Sequence, residues 1–144
     1  MALFYRLIGE AARWFGAAGL HEPYVREGHH RAKRDMPSGT ARRLAEILVG
    51  GDPRLESYHA GNLDGPLPPS VLHVSSVRAG AEPGTHEVGF DGAHDRVVLQ
   101  HSARSRAGFA LGAVLAGEWV RDKSGWHEFD EVLDELLRDG PRAP

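Results

Sequence analysis

The chain has 144 residues, 41% of them hydrophobic, which is enough for a single globular domain with a buried core, and residues 1–144 are read as that domain. A formal net charge of −3 means that basic side chains can cluster only locally, so neither a nucleic-acid nor a membrane surface is expected. Cysteine is absent, which excludes disulfides, thiolate zinc sites and thiol nucleophiles and fits a reducing cytoplasm, the expected location.

Phe4, Leu7, Ile8, Ala11, Trp14 and Phe15 recur at three- and four-residue spacing, so the chain opens with an amphipathic helix that Gly16 and Gly19 should stop. Arg6, Glu10 and Arg13 interrupt its apolar run too early for a signal peptide, and no stretch approaches the roughly 18–20 apolar residues of a membrane span. Pro23 to Glu27 reads as a short extended segment, after which Gly28 lets the backbone turn. Ser38 is a plausible N-cap for a second helix with Ala41, Leu44, Ala45 and Leu48 on its apolar face and its end at Gly50-Gly51. Gly51 to Pro69, rich in Gly, Pro, Asn and Asp, shows no periodicity and predicts a long loop. Val71 to Arg78, Thr85 to Phe90 and Arg96 to Ala103 are strand-like, and their short connections predict antiparallel neighbours. Helical spacing returns from Ser105 to Val120 and again from Phe129 to Leu137, leaving 138–144 as a frayed tail.

The chemistry concentrates in Glu27 to Thr40, EGHHRAKRDMPSGT. Here a cationic loop meets the start of a helix, where free backbone N–H groups and the helix dipole favour an anion. His29, His30, Arg31 and Lys33, together with the Ser38-Gly39-Thr40 helix start, are therefore candidates for a pocket that binds an anionic small molecule and carries its own proton donors. Of the 17 basic side chains only Lys33 and Lys123 are lysines, and a lysine can exchange a proton where an arginine cannot. No metal is expected: His86-Glu87 and His127-Glu128 lack the second histidine of a His-Glu-x-x-His site, and His73, His86 and His101 read as structural histidines of strands. Neither a Gly-x-Ser-x-Gly elbow nor a Gly-x-Gly-x-x-Gly turn is present.

The motif Glu27-Gly28-His29-His30-Arg31-Ala32-Lys33-Arg34-Asp35-Met36-Pro37-Ser38-Gly39-Thr40-Ala41 resembles the E-x-H-H-x-x-K-x-D-x-P-S-G-T-A of the dihydrodipicolinate reductase family of lysine biosynthesis. Ser76-Val77-Arg78-Ala79-Gly80, Gly84 to Phe90, His101 to Arg106 and Phe109 to Ala113 resemble further family segments in the same order. The resemblance covers only the family's C-terminal substrate-binding and oligomerisation domain. It implies an α+β fold, with a mixed, largely antiparallel sheet of about four strands flanked by helices, and a homo-oligomer, dimer or tetramer, built through the sheet. It also implies that His29 is the proton donor, Lys33 its partner, and His30, Gly39 and Thr40 ligands of substrate carboxylate. Ala32 departs from the third histidine common in the motif, and the loop Asp52 to Pro69 lacks the familiar Gly-rich, Arg-bearing pattern.

The family's Rossmann domain, which holds NADPH or NADH, would precede this chain, whose Met1 falls in what would be the first helix after it. No cofactor is accordingly expected on the chain, and NAD(P)H only through a separate partner. Three functions follow as expectations. The first is a stand-alone enzyme that uses the His29/Lys33 pair for cofactor-independent cyclisation, dehydration or isomerisation of a biosynthetic intermediate. The second is the substrate-binding half of a split NAD(P)H-dependent 4-hydroxy-tetrahydrodipicolinate reductase, and the third a non-catalytic oligomeric binding protein. The apolar face of the last helix, Phe129, Val132, Leu133 and Leu136, must be covered by its own domain or by a neighbouring subunit.

Overall fold

The computed structural model describes residues 1–139. They form two compact units, one of Phe4–Arg104 and a smaller one that joins Met1–Leu3 to the chain from Ser105 onward. The larger unit holds α1 (Ala2–Ala18, from Phe4), β1 (His21–His29), α2 (Gly39–Gly51), β2 (Ser57–Ala60), β3 (Val71–Arg78), β4 (Thr85–Gly92) and β5 (Arg96–Ser102). The fold is α+β, with a mixed sheet in the order β2-β3-β1-β4-β5.

Two features of this sheet differ from the sequence reading. It has five strands where about four were expected, because Ser57–Ala60, inside the stretch read as loop, pairs parallel with β3 at the sheet edge. Four residues with three exposed side chains carry no alternation that periodicity could detect. The strands β3 and β4 are also not neighbours despite the short link between them, because β1 lies between them, parallel to β3 and antiparallel to β4. Only β4 and β5 form the expected antiparallel hairpin. Pro23 is tolerated in this central strand because it pairs only with Phe90 of β4, and the ladder to β3 begins one residue later at Tyr24.

One face of the sheet is covered by α1 and α2. Val25, Leu72, Val74, Val88 and Phe90 meet Ile8, Ala11 and Ala12 of α1 and Ala41, Leu44, Ala45 and Leu48 of α2 in a single buried cluster. The second helix thus buries the four residues its spacing picked out, and Phe15 of α1 stacks on Phe90 at 4.3 Å between ring centroids. The first helix runs past Gly16 to Ala18, and its stripe narrows in practice: Leu7 is 48% and Trp14 68% exposed. Gly16 is required by packing rather than as a stop, since a Cβ there would lie 2.9 Å from the backbone of Asp52. Asp52 is itself buried and is held by Arg54 through a bond of 2.7 Å to its Oδ2.

In the smaller unit, α3 (Ala107–Val120) and α4 (Phe129–Asp139) are joined by a polar cluster. Trp119 Nε1 donates to Glu135 Oε2 at 2.7 Å, and Lys123 Nζ lies 4.0 Å above the Trp119 ring. The last helix extends two residues beyond Leu137 into the segment expected to fray, and residues 140–144 of that segment lie outside the described residues. Val132 and Leu133 are buried, whereas no residue of α3 is. Among the described residues no helix is long and apolar enough to cross a membrane.

Leu44 is fully buried between α2 and the sheet, so Leu44→Ala is expected to cost about 2–5 kcal/mol in urea unfolding through lost transfer energy and an unfilled cavity.

Candidate functional site

The end of β1 delivers Glu27 and His29 to the helix-covered face of the sheet, two residues apart and therefore pointing the same way. Sheet register then sets their neighbours: Glu27 is flanked by Ser76 on β3 and His86 on β4, and His29 lies opposite Arg78. The chain leaves β1 through a loop tied to the β3–β4 connection, with His30 N donating to Glu82 O at 2.8 Å and Arg31 N to Gly80 O at 3.2 Å. It then enters α2 through Ser38, whose Oγ accepts from Ala41 N at 3.2 Å as the expected N-cap.

These elements converge on Glu27, whose side chain is fully excluded from solvent. Its Oε1 accepts from Ser38 N at 3.0 Å, Ser76 Oγ at 2.7 Å and Arg78 Nη2 at 2.6 Å. Its Oε2 faces His29 Nε2 at 3.3 Å and His86 Nε2 at 3.6 Å. Burial by itself would raise the Glu27 pKa, but His86, Ser38, Arg78 and Ser76 together favour the carboxylate and hold it far below the usual range.

His29 is 8% exposed. Its Nδ1 lies 3.3 Å from Pro83 O, and because a carbonyl can only accept, this nitrogen carries the proton. The variable proton is then at Nε2, 3.3 Å from His86 Nε2. His86 Nε2 in turn lies 3.2 Å from Ser38 Oγ. Burial lowers the His29 pKa; Glu27 opposes this, while His86, Lys33 and Arg78 add to it. Gly84 allows the ring its place: it has φ +150, and a Cβ there would stand 2.6 Å from His29 Cε1.

Of the residues singled out in the sequence, the structure brings His29 and Ser38 into one cluster and sets His30 beside it. Lys33 Nζ is bonded to Asp35 Oδ1 at 2.7 Å, close enough for its charge to act on His29 but engaged elsewhere. That ammonium lowers the Asp35 pKa, with the backbone of Gly39 adding to the effect. Arg31 and Gly39 are exposed, and Thr40 is half-buried in the first turn of α2. The sequence reading missed four participants: Glu27, Ser76, Arg78 and His86. Pairing between strands unites them, and their spacing in the chain carried no signal of it.

An α+β domain with a buried acid–base cluster beside a cationic helix start is the class of protein this geometry defines. The sequence matches the family described as dihydrodipicolinate reductase, C-terminus, over residues 1–133, and the chain belongs to that family. It is 36% identical over 114 residues to the 4-hydroxy-tetrahydrodipicolinate reductase of Christiangramia forsetii, covering 79% of this chain and 46% of that protein. To the enzyme of the same name from Neisseria meningitidis it is 40% identical over 121 residues, covering 79% of this chain and 45% of that one. The chain thus spans less than half the length of these relatives. In fold it is similar to the dipicolinate-bound dihydrodipicolinate reductase of Paenisporosarcina sp. TG-14, with a TM-score of 0.62 and 22% identity over 92% of this chain and 45% of that one.

The shifted groups predict how stability depends on pH. His29 has a folded pKa below its ordinary 6.5, as does His101, which burial also lowers, so their contribution is complete above that value and is lost as pH falls through it. Glu27, depressed from 4.5, contributes above that value and is lost in stronger acid. The urea midpoint should therefore fall in two stages on acidification. His29→Gln should shrink the first and leave the share of His101, and a pH-independent midpoint would refute the assignment.

Proposed function

We propose that this chain is the substrate-binding and proton-donating half of a 4-hydroxy-tetrahydrodipicolinate reductase. The observation that carries this reading is His29: a buried imidazole, its tautomer held by Pro83, placed where a cationic loop meets the N-terminus of α2 in a chain of the reductase family. The substrate is a small ring compound bearing carboxylates, the chemistry also present in the dipicolinate named for the Paenisporosarcina structure.

Each residue has a physical task in this reading. The backbone N–H groups of Gly39 and Thr40 and the helix dipole receive a carboxylate, with His30 as a further hydrogen-bonding group and Arg31 as a positive charge. His29 delivers a proton from Nε2, and its lowered pKa makes the protonated ring a readier acid. Lys33 exchanges Asp35 for the bound anion and stabilises charge near His29. Glu27 acts as a positioning residue, holding the imidazole against the site.

Nicotinamide nucleotide does not fit the residues of this chain. Its sequence has no Gly-x-Gly-x-x-Gly, and β1 leads to α2 through the bulky HHRAKRDMPS loop where a dinucleotide fold has a glycine turn. The hydride of the reduction therefore belongs to a separate nucleotide-binding domain, and no step of it is assigned to these residues. Cofactor-independent cyclisation, dehydration or isomerisation would use the same His29 and Lys33, but the relatives are named as reductases, which favours the reductase reading. A homo-oligomer formed through the sheet completes the proposal, since Val77 and Val98 are 60% and 42% exposed there.

Dipicolinate titrated into the chain and followed by NMR should bind at one site, shifting His29, His30 and the amides of Gly39 and Thr40. With NADPH and a separately produced nucleotide-binding domain from a reductase relative, His29→Gln should lower turnover about 10²–10⁴-fold, and Lys33→Ala should lower it as well. Absence of dipicolinate binding, or full turnover in both variants, would sink the proposal.

A further inference from the structure

Three ligand atoms from two neighbouring strands converge inside the site: Glu27 Oε2, His29 Nε2 and His86 Nε2, all within 4.8 Å of one another and all on buried residues. Their separations are 3.3 Å between the two imidazole nitrogens, 3.3 Å from Glu27 to His29 and 3.6 Å from Glu27 to His86. Four ligands set tetrahedrally at about 2.0–2.1 Å from zinc stand about 3.3–3.4 Å apart. The three atoms thus already mark three corners of a coordination shell.

The protonation pattern points the same way. Glu27 Oε2 is buried and faces the two imidazole nitrogens, whereas Oε1 of the same carboxylate accepts three hydrogen bonds. His29 donates from Nδ1 to Pro83 O, which leaves the Nε2 lone pair facing the carboxylate. With neither Nε2 protonated, lone pairs would face one another in a dry pocket, at a cost that buried polar groups do not ordinarily bear. A proton on one imidazole relieves this in part. A divalent metal ion would satisfy all three atoms together.

We infer that Glu27, His29 and His86 form a binding site for one zinc-class divalent ion, with the fourth position left open. The outer contacts are of the kind that orient metal ligands: Pro83 O on His29 Nδ1, and Ser38 N, Ser76 and Arg78 on the far oxygen of Glu27. Arg78 already balances the Glu27 charge, so a bound dication remains uncompensated and draws an anion, a carboxylate above all, to the open corner. Metal at this place takes the His29 Nε2 lone pair, so metal binding and proton donation by His29 exclude one another. The sequence gives no hint of the site, because Glu27 and His29 are separated from His86 by the whole of α2, β2 and β3.

This inference stands apart from the reductase reading, and its test uses no substrate. The chain, freed of metal and of chelator, is titrated with Co2+ near neutral pH and its visible spectrum recorded. One equivalent per chain should produce the intense d–d bands of a tetrahedral site, and Zn2+ should abolish them. His86→Gln and, separately, His29→Gln, each checked for native circular dichroism, should weaken binding by more than the roughly 10–100-fold that loss of an outer partner costs. Only weak octahedral bands, or tetrahedral bands that persist in both variants, would overturn the assignment. Dipicolinate binding without cobalt bands would refute the metal site and leave the reductase reading standing; cobalt bands without dipicolinate binding would do the reverse.

Discussion

Glu27 lies in the central strand β1 between Ser76 and His86, its side chain fully buried, and most of the larger unit's functional geometry depends on keeping it charged there. An isolated carboxylate in such a place would cost several kcal/mol or neutralise itself. Three donors on one oxygen prevent this, one from the start of α2 and two from β3. The Glu27 carboxylate, bonded to both Ser38 N and Arg78, therefore acts as a clasp that fixes where α2 begins relative to the sheet. Arg78 also donates to Asp35 O at 2.8 Å, which extends the clasp to the cationic loop.

The second consequence of that buried charge is the asymmetry of its two oxygens. Oε1 is saturated from the β3 and α2 side, and Oε2 is left facing His29 and His86. Burial disfavours the imidazolium at His29 while the neighbouring carboxylate favours it. An imidazole held between such opposed influences is suited to giving up a proton, and the same lone pairs, arranged at tetrahedral spacing, suit a metal ion. Both readings follow from one feature, a buried carboxylate oxygen that faces two imidazole nitrogens.

The helix start beside this cluster is occupied in part by the protein itself. Ser38 caps one backbone N–H, and the Asp35 carboxylate, paired with Lys33, lies near the Gly39 backbone. An incoming carboxylate would thus find an electrostatic position already adapted to an anion. The smaller unit has a different character: Phe109, Leu111 and Val114 of α3 are more than half exposed, and Trp119, Lys123 and Glu135 link its two helices beside the buried Val132 and Leu133.

Local pattern was sufficient for the elements whose physics is local. By itself the sequence determined α2 with its Ser38 cap and four buried residues, the β4–β5 hairpin, the cationic loop and the family, because helical spacing, cap chemistry and a contiguous motif are short-range signals. The edge strand Ser57–Ala60 escaped it, since a few exposed residues become a strand only when β3 supplies the ladder. So did the insertion of β1 between β3 and β4, which no connection length can report. Only the tertiary structure decided that Glu27, Ser76, Arg78 and His86 share one site and that Lys33 is engaged by Asp35. Strand register places residues some fifty positions apart side by side, and a buried carboxylate acquires its chemistry from exactly those neighbours.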